Sequence, residues 1–178
     1  MKETQSPGVT RPLVRRFRAR SLAVLALAWL FASAWGSVVQ TQWNLQGLVG
    51  LGLDIPLALR LQTTAQDLLG FGPVLAGIVA AGWLPALLVA HGLARRWPQW
   101  RTPLLSLAAG AGMVAAIRAV DAVAPMPVFI DATRHGPGLL AMAAGGLLAG
   151  WMLARQGVQL PRAASASSSS ASGQSEGK

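Results

Sequence analysis

Four long apolar stretches separated by shorter polar or basic ones set the pattern of this chain: Ser21 to Val39, Phe71 to Leu93, Leu104 to Ala124 and Pro137 to Ala154. Each approaches or reaches the ~20 residues with which a helix crosses a ~30 Å hydrocarbon core. The pattern predicts an all-α fold, an integral membrane four-helix bundle, whose transmembrane domain covers 21–155 with spans at 21–39, 71–93, 104–124 and 137–154. Residues 1–20 read as a basic cytoplasmic segment. Residues 156–178, ending in "AASASSSSASGQSEGK", read as a disordered cytoplasmic tail, because that composition has no apolar surface to bury.

Between the first two spans the pattern changes period. "LGLDIPLALRL", residues 51–61, alternates large apolar residues with others, as a strand would. A lone strand at a membrane surface has no partner for its backbone, and Pro56 lacks the donor a ladder needs. A helix fits better. Asp54 is placed to cap it, Pro56 falls in its first turn, and Arg60, Thr63, Thr64 and Asp67 fall at i, i+3, i+4 and i+7 along one polar stripe. We therefore expect a short amphipathic helix over about 55–69 in the first outer loop, lying on the outer leaflet or capping the bundle.

Small residues dominate the last two spans. Ala108, Gly112 and Ala116 recur every four positions in the third, and Gly146 and Gly150 form a GxxxG pair in the fourth. That spacing lets helix backbones approach closely, which in lipid replaces the missing hydrophobic drive. It serves packing inside the bundle or association between copies. Pro85 lies inside the second span and removes the helix bond to the carbonyl of Ala81.

Charge then orients the threading. Twelve of the 15 basic residues fall before the first span, between the second and third, or after the fourth; Arg60 and Arg134 fall on the other side, and Arg118 lies within the third span. The positive-inside rule puts both termini in the cytoplasm and the loops 40–70 and 125–136 outside. A competing reading makes the start of the first span a cleaved signal peptide, with Ala32, Ser33 and Ala34 as the cleavage site, leaving three helices. Arginine outnumbers lysine 13 to 2, and Ala and Gly are abundant, a composition associated with GC-rich bacterial genomes. The expected location is the bacterial inner membrane.

Composition narrows the chemistry. The chain is 53% hydrophobic and 12% charged, with mean hydropathy +0.47. Its net charge of +9 sits at span ends, where anionic headgroups explain it better than nucleic acid does. With no cysteine, thiolate catalysis, zinc-thiolate sites and disulfides are excluded. His91 and His135, the two histidines, belong to opposite ends of the bundle and do not suit a bis-histidine haem. No phosphate-binding glycine loop or HExxH pair is present, so no cofactor or metal is expected.

What remains polar gathers on the outer side: Arg60, Asp67, Arg118, Asp121, Asp131, Arg134 and His135 form a candidate binding cluster, with Gln40, Gln42 and Asn44 nearby. Arg118 and Asp121 are three residues apart and suited to pair, with Arg118 expected to face the bundle and Ile117 and Val120 the lipid. No catalytic residue stands out. The leading reading is a noncatalytic membrane protein acting by helix association with itself or a membrane complex. Alternatives are a small transporter or channel component with an outer-facing polar cleft, and a membrane enzyme holding a lipid-linked phosphate on Arg60, Arg134 and His135.

Overall fold

The computed structural model describes residues 11–123 and 136–157, all helix apart from turns. Five α-helices follow in order: α1 (Arg11–Gly50), α2 (Leu57–Gly70), α3 (Gly72–Arg96), α4 (Arg101–Val123) and α5 (Gly136–Arg155), with a 3-10 turn at Pro98–Trp100 before α4. Four of them are long and apolar enough to cross a membrane, and α2 is the short extra one. The chain is by this measure a multi-pass membrane protein. Large apolar side chains point away from the bundle, as they do in lipid: Leu27, Leu30, Leu84, Leu107 and Leu140 are all exposed.

α1, α3, α4 and α5 alternate in direction and close into a ring in which α1 touches α3 and α5, and α4 touches α3 and α5. Leu75, Val79, Met113, Ile117 and Met142 are fully buried at its centre. Three indoles stitch the ring through backbone carbonyls: Trp29 Nε1 donates to Ala76 (α1 to α3), Trp35 Nε1 to Ala141 (α1 to α5) and Trp83 Nε1 to Ala109 (α3 to α4), each at 2.9 Å. An indole N–H kept from water, by the bundle or by lipid, needs an acceptor, and in a helix bundle the neighbouring carbonyls supply it. Ala32 and Ser33, in the possible cleavage site, are packed inside this assembly, within α1.

Glycine sets how closely the helices approach. A β-carbon on Gly146 would lie 2.9 Å from the Ala109 carbonyl oxygen and from Gly110 Cα; one on Gly150 would lie 2.5 Å from the Leu105 oxygen. The GxxxG pair is thus spent inside the chain, against the backbone of α4. Gly112 and Ala116 do not face it. They meet Gly82 on α3 instead, where a β-carbon would strike the Gly112 carbonyl and Ala116. α4 therefore carries two small-residue seams, one for each neighbour.

α1 runs 40 residues, about 60 Å, twice the thickness of a hydrocarbon core. α5 is 20 residues, about 30 Å. The bond from Trp35 to Ala141 fixes their register, so the start of α5 at Gly136 is level with about residue 40 of α1. The last ten residues of α1 rise beyond it. There a turn reverses the chain: Leu53 N–H bonds the Leu48 carbonyl, Gly52 N–H bonds that of Val49, and Gly52 takes φ +88°, a Schellman ending that suits glycine.

α2 then descends antiparallel to α1. It begins at Leu57, with Pro56 as its cap in extended backbone (φ −65°, ψ 155°) and no side-chain cap bond. Asp54, expected to cap it, is too early: the residue before a proline is held out of helical conformation, so the helix starts only after Pro56. At the other end Phe71 keeps helical backbone, and its N–H bonds the Asp67 carbonyl while its own carbonyl accepts from Leu75 N–H. α2 and α3 thus follow almost as one helix, broken where Pro73 has no N–H to give.

Candidate functional site: a polar seam between the first two helices

The polar stripe of α2 faces α1. Thr41 Oγ1 stands 2.7 Å from Asp67 Oδ2 and 2.9 Å from the Ser37 carbonyl oxygen, so its single proton serves one acceptor at a time. Next to it three groups close a directional ring. Gln42 Nε2 donates to Thr64 Oγ1 at 2.9 Å, Thr64 Oγ1 donates to the Arg60 carbonyl at 2.7 Å, and Arg60 Nη1 reaches back to Gln42 Oε1 at 3.5 Å, a long and weak contact. Arg60 and Asp67 are brought together here, each through a different residue of α1.

Behind the seam α1 carries a polar face inside the bundle. Ser33, Ser37, Gln40 and Thr41 are all buried. Ser33 Oγ donates to the Trp29 carbonyl at 2.8 Å, whereas Ser37 Oγ is buried with no hydrogen-bond partner. Sequence reading gathered Gln40, Gln42 and Asn44 but missed Ser33, Ser37 and Thr41. Their spacing of i, i+4 and i+8, with Gln40 on the same side, was the available signal. Asn44 is exposed.

The other expected residues lie elsewhere. Arg118 and Asp121 are on α4: Arg118 is exposed and Asp121 half-buried. Arg118 does not face the bundle, and Ile117, expected toward lipid, is fully buried. α4 packs on α3 through Gly112 and Ala116 and on α5 through Ala109 and Gly110, and the arc between those seams contains Ile117. Arg118 falls outside it. Asp131, Arg134 and His135 lie outside the described residues.

On α2 the polar stripe turned inward leaves the apolar residues outward. Leu57, Leu61 and Leu69 are 70%, 63% and 83% exposed, and no residue of α2 is buried. Leu57, Leu61, Ala65 and Leu69 form one continuous row. An amphipathic helix on a water-soluble protein does the opposite. Comparison with protein-family models, curated proteins and solved structures finds no match to this chain.

Proposed function

We propose that this membrane protein is noncatalytic and works by helix association, and that the leucine row of α2 is the surface it offers to a second copy or to a membrane complex. The observation that carries this reading is the polarity of α2: Thr64 and Asp67 are engaged by α1, while Leu57, Leu61 and Leu69 are presented outward. The α1–α2 hairpin overshoots the start of α5, so much of that row stands beyond a ~30 Å core. An apolar patch in that position is an interaction surface. The excess of arginine over lysine supports a bacterial inner membrane, and the placement of the basic residues supports both ends of the chain in the cytoplasm and the hairpin outside.

The absence of cysteine makes the test direct. Single cysteines at Leu57, Leu61 and Ala65, with Gln66 and Leu84 as controls, are placed in the full chain and oxidised in native membranes. Cross-linking to a second copy or to a distinct protein at the first three positions, and not at the controls, is the expected pattern. Equal or absent cross-linking at all five positions would refute it.

A further inference from the structure

A groove of about 630 Å³ runs between α3 and α4 on the outside of the bundle. Its lining is entirely glycine, alanine, proline and branched aliphatic side chains, from Pro85 and Ala111 at one end to Ile78 and Val123 at the other. Gly82 and Gly112 form its floor, where the backbones meet. Pro85, Ala111, Ala115 and Ala119 leave its walls low and exposed.

Position within the bilayer gives the groove a length with meaning. Gly112 is the midpoint of α4, so with that helix centred on the bilayer the groove begins at mid-membrane and climbs to the end of the helix. Ala111 to Val123 is about 18 Å of helix, against ~15 Å for half of a ~30 Å core. The groove is thus one leaflet deep. Arg118 stands on its rim: seven residues after Ala111 it returns to the same face of α4, just beyond Ala115, itself a lining residue. Arg118 is exposed, and no group among the described residues bonds its guanidinium. An arginine at that depth extends toward the headgroup layer.

We propose that the α3/α4 groove is a binding site for one anionic phospholipid, with an acyl chain along Gly82 and Gly112 and the headgroup phosphate on Arg118. Two independent features select this occupant. The slot is apolar throughout and matches a leaflet in depth, which suits a chain that enters from one surface. Among the described residues Arg118 is the one cation beside the outer half of the slot, with the carboxylate of Asp121 a turn further along α4, and its stem reaches toward the headgroup layer, where an anionic lipid supplies the opposite charge. A transmembrane helix of another protein would fill the slot but would bring no anion to Arg118 at the headgroup level. This site is separate from the leucine row of α2, and either reading stands or falls alone.

Native mass spectrometry of the full-length chain, released from micelles carrying equal amounts of phosphatidylglycerol and phosphatidylcholine with identical acyl chains, tests the site. The wild type is expected to retain phosphatidylglycerol about five-fold over phosphatidylcholine, the shift that one basic side chain near an anionic surface brings. Arg118→Gln lowers that ratio toward one while lipid is still retained. Ala115→Leu, at an exposed position where folding is undemanding, fills the slot and reduces retention of both lipids. The proposal is overturned if Arg118→Gln keeps the preference, if Ala115→Leu keeps its lipid, or if Ala115→Cys forms disulfide-linked dimers in membranes, which would put a second copy in the groove.

Discussion

Gly150→Ala tests the physical basis of the bundle at the seam between α4 and α5. The new methyl would lie 2.5 Å from the Leu105 carbonyl oxygen, 2.6 Å from Ser106 Cα and 2.9 Å from Ala109 Cβ, where ordinary contact begins at 3.4 Å. The first two neighbours belong to helix backbone and cannot rotate away. α5 must therefore withdraw from α4 by about 1 Å, and a gap of that size forfeits a quarter to a half of each contact across the seam. Overpacking of this kind typically costs about 1–3 kcal/mol. Alanine returns up to ~1 kcal/mol through its better helix propensity.

The expected net loss is about 0–2 kcal/mol against wild type, a fall of up to roughly 8 °C in melting temperature for a chain of this size, and about 1–3 kcal/mol against glycine-to-alanine changes that gain the same propensity without a collision. Gly77→Ala and Gly92→Ala are the controls, since a β-carbon at either position meets nothing within 4 Å. They gain the propensity without the collision and are expected to hold or raise stability. Thermal unfolding of the three variants in one detergent, followed by helical circular dichroism, makes the comparison. Gly150→Ala as stable as the two controls would refute the argument that the α4–α5 seam is set by backbone contact.

The seam between α1 and α2 is expected to behave as a latch: in a double-mutant cycle of Thr41→Val and Asp67→Leu the coupling should be about 0.6–1.7 kcal/mol, the range for hydrogen bonds in membrane proteins. Amide exchange should speed up in residues 57–70 and remain unchanged in α3 to α5. Trp35→Phe removes the bond to Ala141 and leaves the ring on Gly145, so a loss of about 0.6 kcal/mol is expected in unfolding titrations, against several kcal/mol for Trp35→Ala, which also empties the space over Gly145. A reporter active only in the periplasm should be active when inserted after Asp54 and silent when fused at Lys178, which checks the threading drawn from the arginines.

The elements of this fold were legible in the sequence; their facing was less so. Periodicity located the polar stripe of α2 at Arg60, Thr63, Thr64 and Asp67, because spacing on a helix is a property of the chain alone. Which way the stripe points depends on what surrounds it, and a stripe that would face water on a soluble protein here faces α1. The same limit applies to α4. Ala108, Gly112 and Ala116 marked a packing face, but a helix with two neighbours has two seams, and the residue enclosed between them was Ile117 rather than Arg118. Within α1, Ser33 and Ser37 were hidden by the strength of the apolar run that contains them, and Thr41 follows just past its end.

The buried face of α1 explains why the chain turns back as α2 at all. Thr41 and Gln42 sit where α1 leaves the level of the other helices, and a hydroxyl or amide left against hydrocarbon there would go unpaired. Had α1 stopped just past Gln42, both side chains would have lacked these partners. Extending it to Gly50 and folding α2 down along it provides the Asp67 carboxylate to Thr41 and the Thr64 hydroxyl to Gln42. The cost is geometric: a helix that turns its polar residues inward must turn its leucines out. The apolar row Leu57, Leu61, Ala65 and Leu69 thus follows from engaging α1, and it leaves the hairpin with an exposed apolar surface.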